Sequence, residues 1–177
     1  WGREHNLAKL KPAELRRVSL VEGNVLGVEL APVDLLLAMN FSYQCFKDRA
    51  TLRGYFERAR AGLVEDGVLM LDVFGGYDAI REMTERTAHK KFTYIWDQHR
   101  YDPVTGEILC YIHFAFHDGS KIKRAFTYDW RLWSLPELQE LLVEAGFQRV
   151  TVYWQGTDEG TGEANGVFEP ASHGDAD

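Results

Sequence analysis

The sequence predicts an α/β fold: part of a doubly wound, Rossmann-like parallel sheet carrying an antiparallel β insertion. Three observations predict it. The runs Val33-Asp-Leu-Leu-Leu-Ala38 and Val68-Leu-Met-Leu-Asp-Val-Phe74 are largely apolar on both faces, as strands covered by helices on each side must be. Between them, Leu52, Tyr55, Phe56, Ala59 and Leu63 recur at helical spacing. From about Lys91 to Trp133 the period changes from helical to alternating, the pattern of a half-buried antiparallel sheet.

Each element follows in order. Trp1 to Leu10 reads as a helix, and Arg17-Val-Ser-Leu-Val-Glu22 as a short strand ending at a polar turn. Asp48 is the expected N-cap of the helix running to Val64, because its carboxylate can accept from the free first-turn amides. Glu65-Asp-Gly67 closes that helix before the strand at Val68–Phe74. In the insertion, Phe92, Tyr94 and Trp96 share one side of a strand near 92–98, and Ile108, Cys110, Ile112, Phe114 and Phe116 one side of the next. Tyr101-Asp-Pro-Val-Thr-Gly106 turns between them, and His117-Asp-Gly-Ser120 turns into a third strand, Lys121–Tyr128. Ser134-Leu-Pro-Glu137 has the reciprocal capping spacing, and its helix stops at Gly146. Arg149–Trp154 is the following strand. The organisation expected is one partial domain over 1–156, with the insertion at about 91–133 and residues 157–177 as a loop or tail.

Composition narrows the class. A chain of 177 residues with 45% hydrophobic and 13% aromatic content can bury a core. A net charge of -7 argues against a nucleic-acid surface. The basic clusters His89-Lys-Lys91 and Lys121-Ile-Lys-Arg124 read as solvated faces. No apolar run approaches the roughly 20 residues of a membrane span. Cys45 and Cys110 lack metal-ligand spacing, and reduced thiols in a cytoplasmic protein are the expectation. His113 and His117 share a strand face but stand about 13 Å apart along it, too far to bind one metal. No metal site is expected. The partner expected is a small molecule, with neither nucleic acid nor membrane, and the aromatic side of the insertion could meet a second copy in a homodimer.

Three stretches resemble a family. These are Leu20-Val-Glu-Gly-Asn-Val25; Pro32-Val-Asp-Leu-Leu-Leu-Ala-Met-Asn-Phe-Ser-Tyr43 with its following helix and Gly62–Val73; and Trp133–Val150, with its Ala-Gly-Phe turn. Together they are similar to the central and late parts of a class I S-adenosylmethionine-dependent methyltransferase. The Gly-rich loop and ribose-binding acid of that family have no counterpart here, so the expectation is a fragment lacking the N-terminal donor-binding loop and inactive alone.

The resemblance implies S-adenosylmethionine as cofactor and a small-molecule methyl acceptor. It implies donor-binding roles for Glu22, Gly23, Asn24 and Val25, with the Asn24 amide oxygen accepting where the family usually has Asp. Ala38, Met39 and Asn40 would border the donor's methionine end, and Phe41 and Tyr43 the substrate. No residue stands out as a catalytic acid, base or nucleophile. Two other readings stay open: a non-catalytic ligand-binding or dimerisation module, and another nucleotide-binding α/β enzyme such as a dehydrogenase.

Overall fold

Only two strands pair in parallel among the described residues: β1, Val33–Ala38, and β2, Leu63–Leu71. The computed structural model describes residues 1–29, 31–162, 164–172 and 174. It divides into two units, Trp1–Leu30 and Ala31–Asp177.

The first unit departs most from expectation. Instead of one helix over Trp1–Leu10 it has α1 at Gly2–His5, a 3-10 turn at Leu7–Lys9, and α2 at Pro12–Leu15. A helix this short is marginal without an apolar face to bury, and none of these segments has a buried residue. The strand expected at Arg17–Glu22 does not form. A strand needs a hydrogen-bonded neighbour, and none of the described strands pairs with these residues. Leu20 and Val21 are accordingly exposed.

In the second unit β1 leads through a 3-10 turn, Ser42–Cys45, to α3, Arg49–Ala61. Asp48 caps α3 as expected, accepting from the Thr51 amide at 2.8 Å. The helix ends earlier than expected, at Gly62, and β2 begins at Leu63. Glu65-Asp66-Gly67 is therefore not a helix-closing turn but part of an irregularity in the parallel pairing, which passes from Val33 opposite Leu63 to Leu35 opposite Val68. Gly67 is required there: a Cβ would stand 2.9 Å from the Leu63 Cβ and 3.1 Å from the Val33 carbonyl oxygen.

The alternating region forms a four-stranded antiparallel sheet in the order β3-β4-β5-β6, with β3 Met83–Ala88, β4 Phe92–Tyr101, β5 Glu107–Phe116 and β6 Lys121–Arg131. β3 was not foreseen. Met83-Thr-Glu-Arg-Thr-Ala88 has no apolar alternation because it is an exposed edge strand, held to β4 through its backbone. The capping box forms at α4, Leu135–Glu144, where the Glu137 carboxylate accepts from the Ser134 amide at 2.9 Å.

The last strand also differs. β7 is Tyr153–Thr157, and it pairs antiparallel with β8, Ala164–Pro170. The tail read as loop thus contains a strand. Asp158 organises the turn by accepting from the Gly160 and Thr161 amides, and the hairpin closes through the backbone rather than an apolar face. Residues 163, 173 and 175–177 of that tail lie outside the described residues.

Two cores result. Leu52 and Phe56 of α3, Leu138, Leu141 and Leu142 of α4, Tyr43 and Trp133 enclose one, with Leu69 and Leu71 of β2 packed against it. Ile108, Cys110 and Trp130 form the other on one face of the antiparallel sheet, joined by Phe41, Phe74, Trp96 and Tyr128. The Trp133 indole N–H ties the regions together by donating to the Phe46 carbonyl at 3.0 Å.

Candidate functional site

The carboxyl end of β1 is built around a backbone reversal. Asn40 and Phe41 both adopt left-handed conformations, with φ of 64° and 53°. Such φ values cost a non-glycine residue roughly 1–2 kcal/mol. The compensation comes from Asp72, immediately after β2. Its carboxylate accepts from the Asn40 amide at 2.9 Å through Oδ2 and from the Phe41 amide at 2.9 Å through Oδ1. Charge-assisted bonds of this kind are among the stronger ones available. Gln44, fully buried, adds a third tie by donating from Nε2 to the Phe74 carbonyl at 3.2 Å. The turn is thereby fastened to the segment following β2.

The turn divides its residues between surface and core. Ala38 is buried, whereas Met39 and Asn40 are exposed at the strand end. Phe41 is half-buried against Phe74 and Trp130, at centroid distances of 5.6 and 6.4 Å, so the end of β1 abuts the aromatic face of the antiparallel sheet. Tyr43 lies apart from them. It is 1% exposed and packs on Phe56 inside the helical core. Burial pushes its hydroxyl far above the usual phenol value, with Gln44 opposing that shift and the Asp72 charge adding to it.

The remaining expected donor-binding residues lie in the first unit. Glu22, Gly23, Asn24 and Val25 are exposed and belong to a turn, not to the end of a strand. The Asn24 side-chain oxygen accepts from the Leu26 amide at 3.0 Å, and its backbone oxygen from the amides of Gly27 and Val28. Asn24 therefore acts in this structure as a turn former. Within the second unit the structure gathers Ala38, Met39, Asn40 and Phe41 at one strand end; within the first, residues 22–25 form a turn.

Sequence reasoning missed Asp72, Gln44 and Phe74. Asp72 carries a signal in the sequence, as the one charge within the apolar run Val68–Phe74. Gln44 and Phe74 carry none, because their roles depend on which strands become neighbours. The aromatic residues in and beside the antiparallel sheet also divide. Trp96, Tyr128 and Trp130 join the Phe41 side, Tyr111 lies on the opposite face of the sheet, and Trp133 enters the helical core. Among the described residues, no cluster of His, Cys, Asp and Glu could hold a metal, and no helix is long and apolar enough to cross a membrane.

No protein-family model and no curated protein matches the sequence. Solved structures do match the fold. The CcbJ methyltransferase of Streptomyces caelestis superposes with a TM-score of 0.64 at 17% identity, over 81% of this chain and 57% of that one. An S-adenosylmethionine-dependent methyltransferase of Clostridium acetobutylicum gives 0.61 at 18% identity, over 81% and 56%. An amino pentose methyltransferase of Micromonospora echinaspora, CalS10, solved with S-adenosylmethionine bound, gives 0.58 at 14% identity, over 80% and 60%. The chain has the α/β fold of these S-adenosylmethionine-dependent methyltransferases. It spans between 56% and 60% of their length.

Proposed function

We propose that this chain forms part of an S-adenosylmethionine-dependent methyltransferase acting on a small-molecule acceptor. The observation that carries the reading is the fold likeness over 81% of the chain, with the Asp72-fastened turn at the carboxyl end of a parallel strand, where α/β sheets place their ligands. In this reading β1 and β2 are central strands of a doubly wound sheet, and the four-stranded antiparallel sheet is its insertion. An amino pentose is the acceptor class of one structural neighbour, and it supports a small acceptor here. Two free cysteines fit a reducing, cytoplasmic setting.

The residues present suit one side of such a cofactor. Met39 and Asn40 are exposed on a turn that Asp72 holds rigid, so they can border the donor without reorganising. The carboxylate of Asp72 is occupied by two amides, which makes it a positioning residue rather than a proton acceptor. Its charge, with the aromatic faces of Phe41 and Phe74, favours a cationic ligand nearby. When bound, the cofactor supplies an activated methyl group on a sulfonium, so the protein's work is orientation and exclusion of water. Phe41, Phe74 and Trp130 provide the apolar wall for that. Tyr43, enclosed in the core, serves as support for the turn.

Calorimetric titration of the complete protein with S-adenosylmethionine and S-adenosylhomocysteine tests the reading. Binding that Asn40→Ala weakens supports it. Absence of binding to either ligand by the complete protein overturns it in favour of a non-catalytic module.

A further inference from the structure

The face of the antiparallel sheet opposite the Trp96–Trp130 cluster is concave and basic. A cavity of about 370 Å³ opens there, lined by Arg86 of β3, His99 of β4, and Lys121, Lys123 and Arg124 of β6. Asp97 is the one carboxylate in its lining, and it faces the imidazole of His113, its Oδ2 lying 3.2 Å from Nε2. None of the four Lys and Arg side chains forms an ion pair among the described residues. Four uncompensated cations around one hollow, in a chain of net charge -7, repel one another unless an anion relieves them.

The arrangement is built rather than incidental. Arg124 has a left-handed backbone, φ 51°, at an irregularity where the β5–β6 register shifts between Ile112 and Phe114. Strain of this kind persists only where the surroundings enforce it, and it concentrates at ligand sites. Here the enforcement is visible: the Arg124 amide donates to His113 Nδ1 at 2.9 Å. That bond leaves Nε2 as the protonated nitrogen of the neutral ring, donating to Asp97. Both ring nitrogens are thus engaged, and His113 is a positioning residue for Arg124. The guanidinium itself lies 4.4 Å from the Tyr111 ring centroid, and Tyr111 is backed by His99 at 5.1 Å. That cation–π contact holds the guanidinium over the ring, and its N–H groups form no ion pair among the described residues.

We propose that this pocket is a binding site for a phosphate-bearing small molecule, with Arg124 as its bidentate anchor and Arg86, Lys121 and Lys123 supplying the remaining charge. Ile95, in the same lining, meets the uncharged part of the ligand. The proposal is independent of methyl transfer, since it rests on the other face of the sheet.

The test is calorimetric titration of the protein with inorganic phosphate and with pyrophosphate at low ionic strength, beside circular dichroism of each variant. Saturable binding is expected, tighter for pyrophosphate, and weakened by added sodium chloride. Arg124→Gln should weaken it by about tenfold or more, the loss expected for a charge-assisted bidentate contact. Lys123→Gln removes a charge without touching the strained backbone, and should weaken binding by a smaller factor while leaving the dichroism unchanged. Absence of saturable binding by the parent protein overturns the proposal. So does equal affinity in the parent and in a folded Arg86→Gln, Lys123→Gln double variant.

Discussion

Asp72 shows how one side chain can hold a strained turn. Its two carboxylate oxygens serve two successive amides at 2.9 Å each, and the residues carrying those amides are both left-handed. Asp72→Asn keeps one acceptor but turns an amide NH2 group toward a donor. Denaturant unfolding should therefore show a loss of about 1–3 kcal/mol, with Asp72→Ala at least as damaging. Stability equal to the parent in both variants would mean that the turn is held by something else. Cys110 gives a second test. Burial, aided by the charge of Asp97, pushes its thiol up from 9.0 to about 12. For an acid whose folded value is raised, the folded state favours the protonated form. The contribution to stability is present below the unfolded value and is lost as pH rises from there through the folded one. Stability should therefore fall between about pH 9 and pH 12, and less steeply in Cys110→Ala. Because the thiol is also fully buried, iodoacetamide near neutral pH should label the exposed Cys45 well before Cys110 in the native protein.

At the scale of elements, the pairing of β1 with β2 depends on a glycine inside β2. Gly67→Ala would place a methyl 2.9 Å from the Leu63 Cβ, which is anchored in the core at 5% exposure. The cost expected is about 1–3 kcal/mol, as for other overpacked sites, read as a lowered melting temperature with unchanged helix content. A neutral result would show that the irregularity in β1–β2 pairing can move. Trp133 joins the end of the antiparallel sheet to the helical core. It donates to the Phe46 carbonyl, and the Arg131 guanidinium stacks 3.7 Å from its ring centroid while bonding Glu137 at 3.1 Å. Trp133→Phe keeps most of the apolar volume and leaves the part-buried Phe46 carbonyl without its indole donor, so a loss of about 1–3 kcal/mol should follow.

The second unit as a whole covers its parallel pair on one side only. Leu69 and Leu71 pack against the helices, whereas Leu35, Leu37, Val68 and Met70 on the other face are between 49% and 57% exposed. Parallel strands are ordinarily buried on both faces, and a contiguous apolar surface of this kind invites association. The 177-residue chain should accordingly bind a hydrophobic dye such as anilinonaphthalene sulfonate in its folded state. Leu35→Lys with Leu37→Lys should abolish that binding without lowering the melting temperature. Dye binding unchanged by the pair of substitutions would place the exposed surface elsewhere.

What the sequence determined by itself was local or periodic. The Asp48 cap, the Ser134–Glu137 box, the helical spacing of Leu52, Phe56 and Ala59, and the alternation of β4 and β5 are legible because each depends on residues a few positions apart. The tertiary structure decided whatever depended on a distant neighbour. Arg17–Glu22 has the composition of a strand and does not form one, because the described residues offer it no pairing partner. β3 and β8 lack apolar alternation and are strands all the same, since a neighbouring backbone satisfies theirs. Of the candidate site, the strand end at Ala38–Phe41 was readable from the apolar run that precedes it. Its anchor at Asp72 and its wall at Phe74 and Trp130 were not, for they come from segments 31 or more residues away along the chain. Tyr43 and Phe41 look alike in sequence, and the chain reversal between them sends one into the core and leaves the other at the strand end.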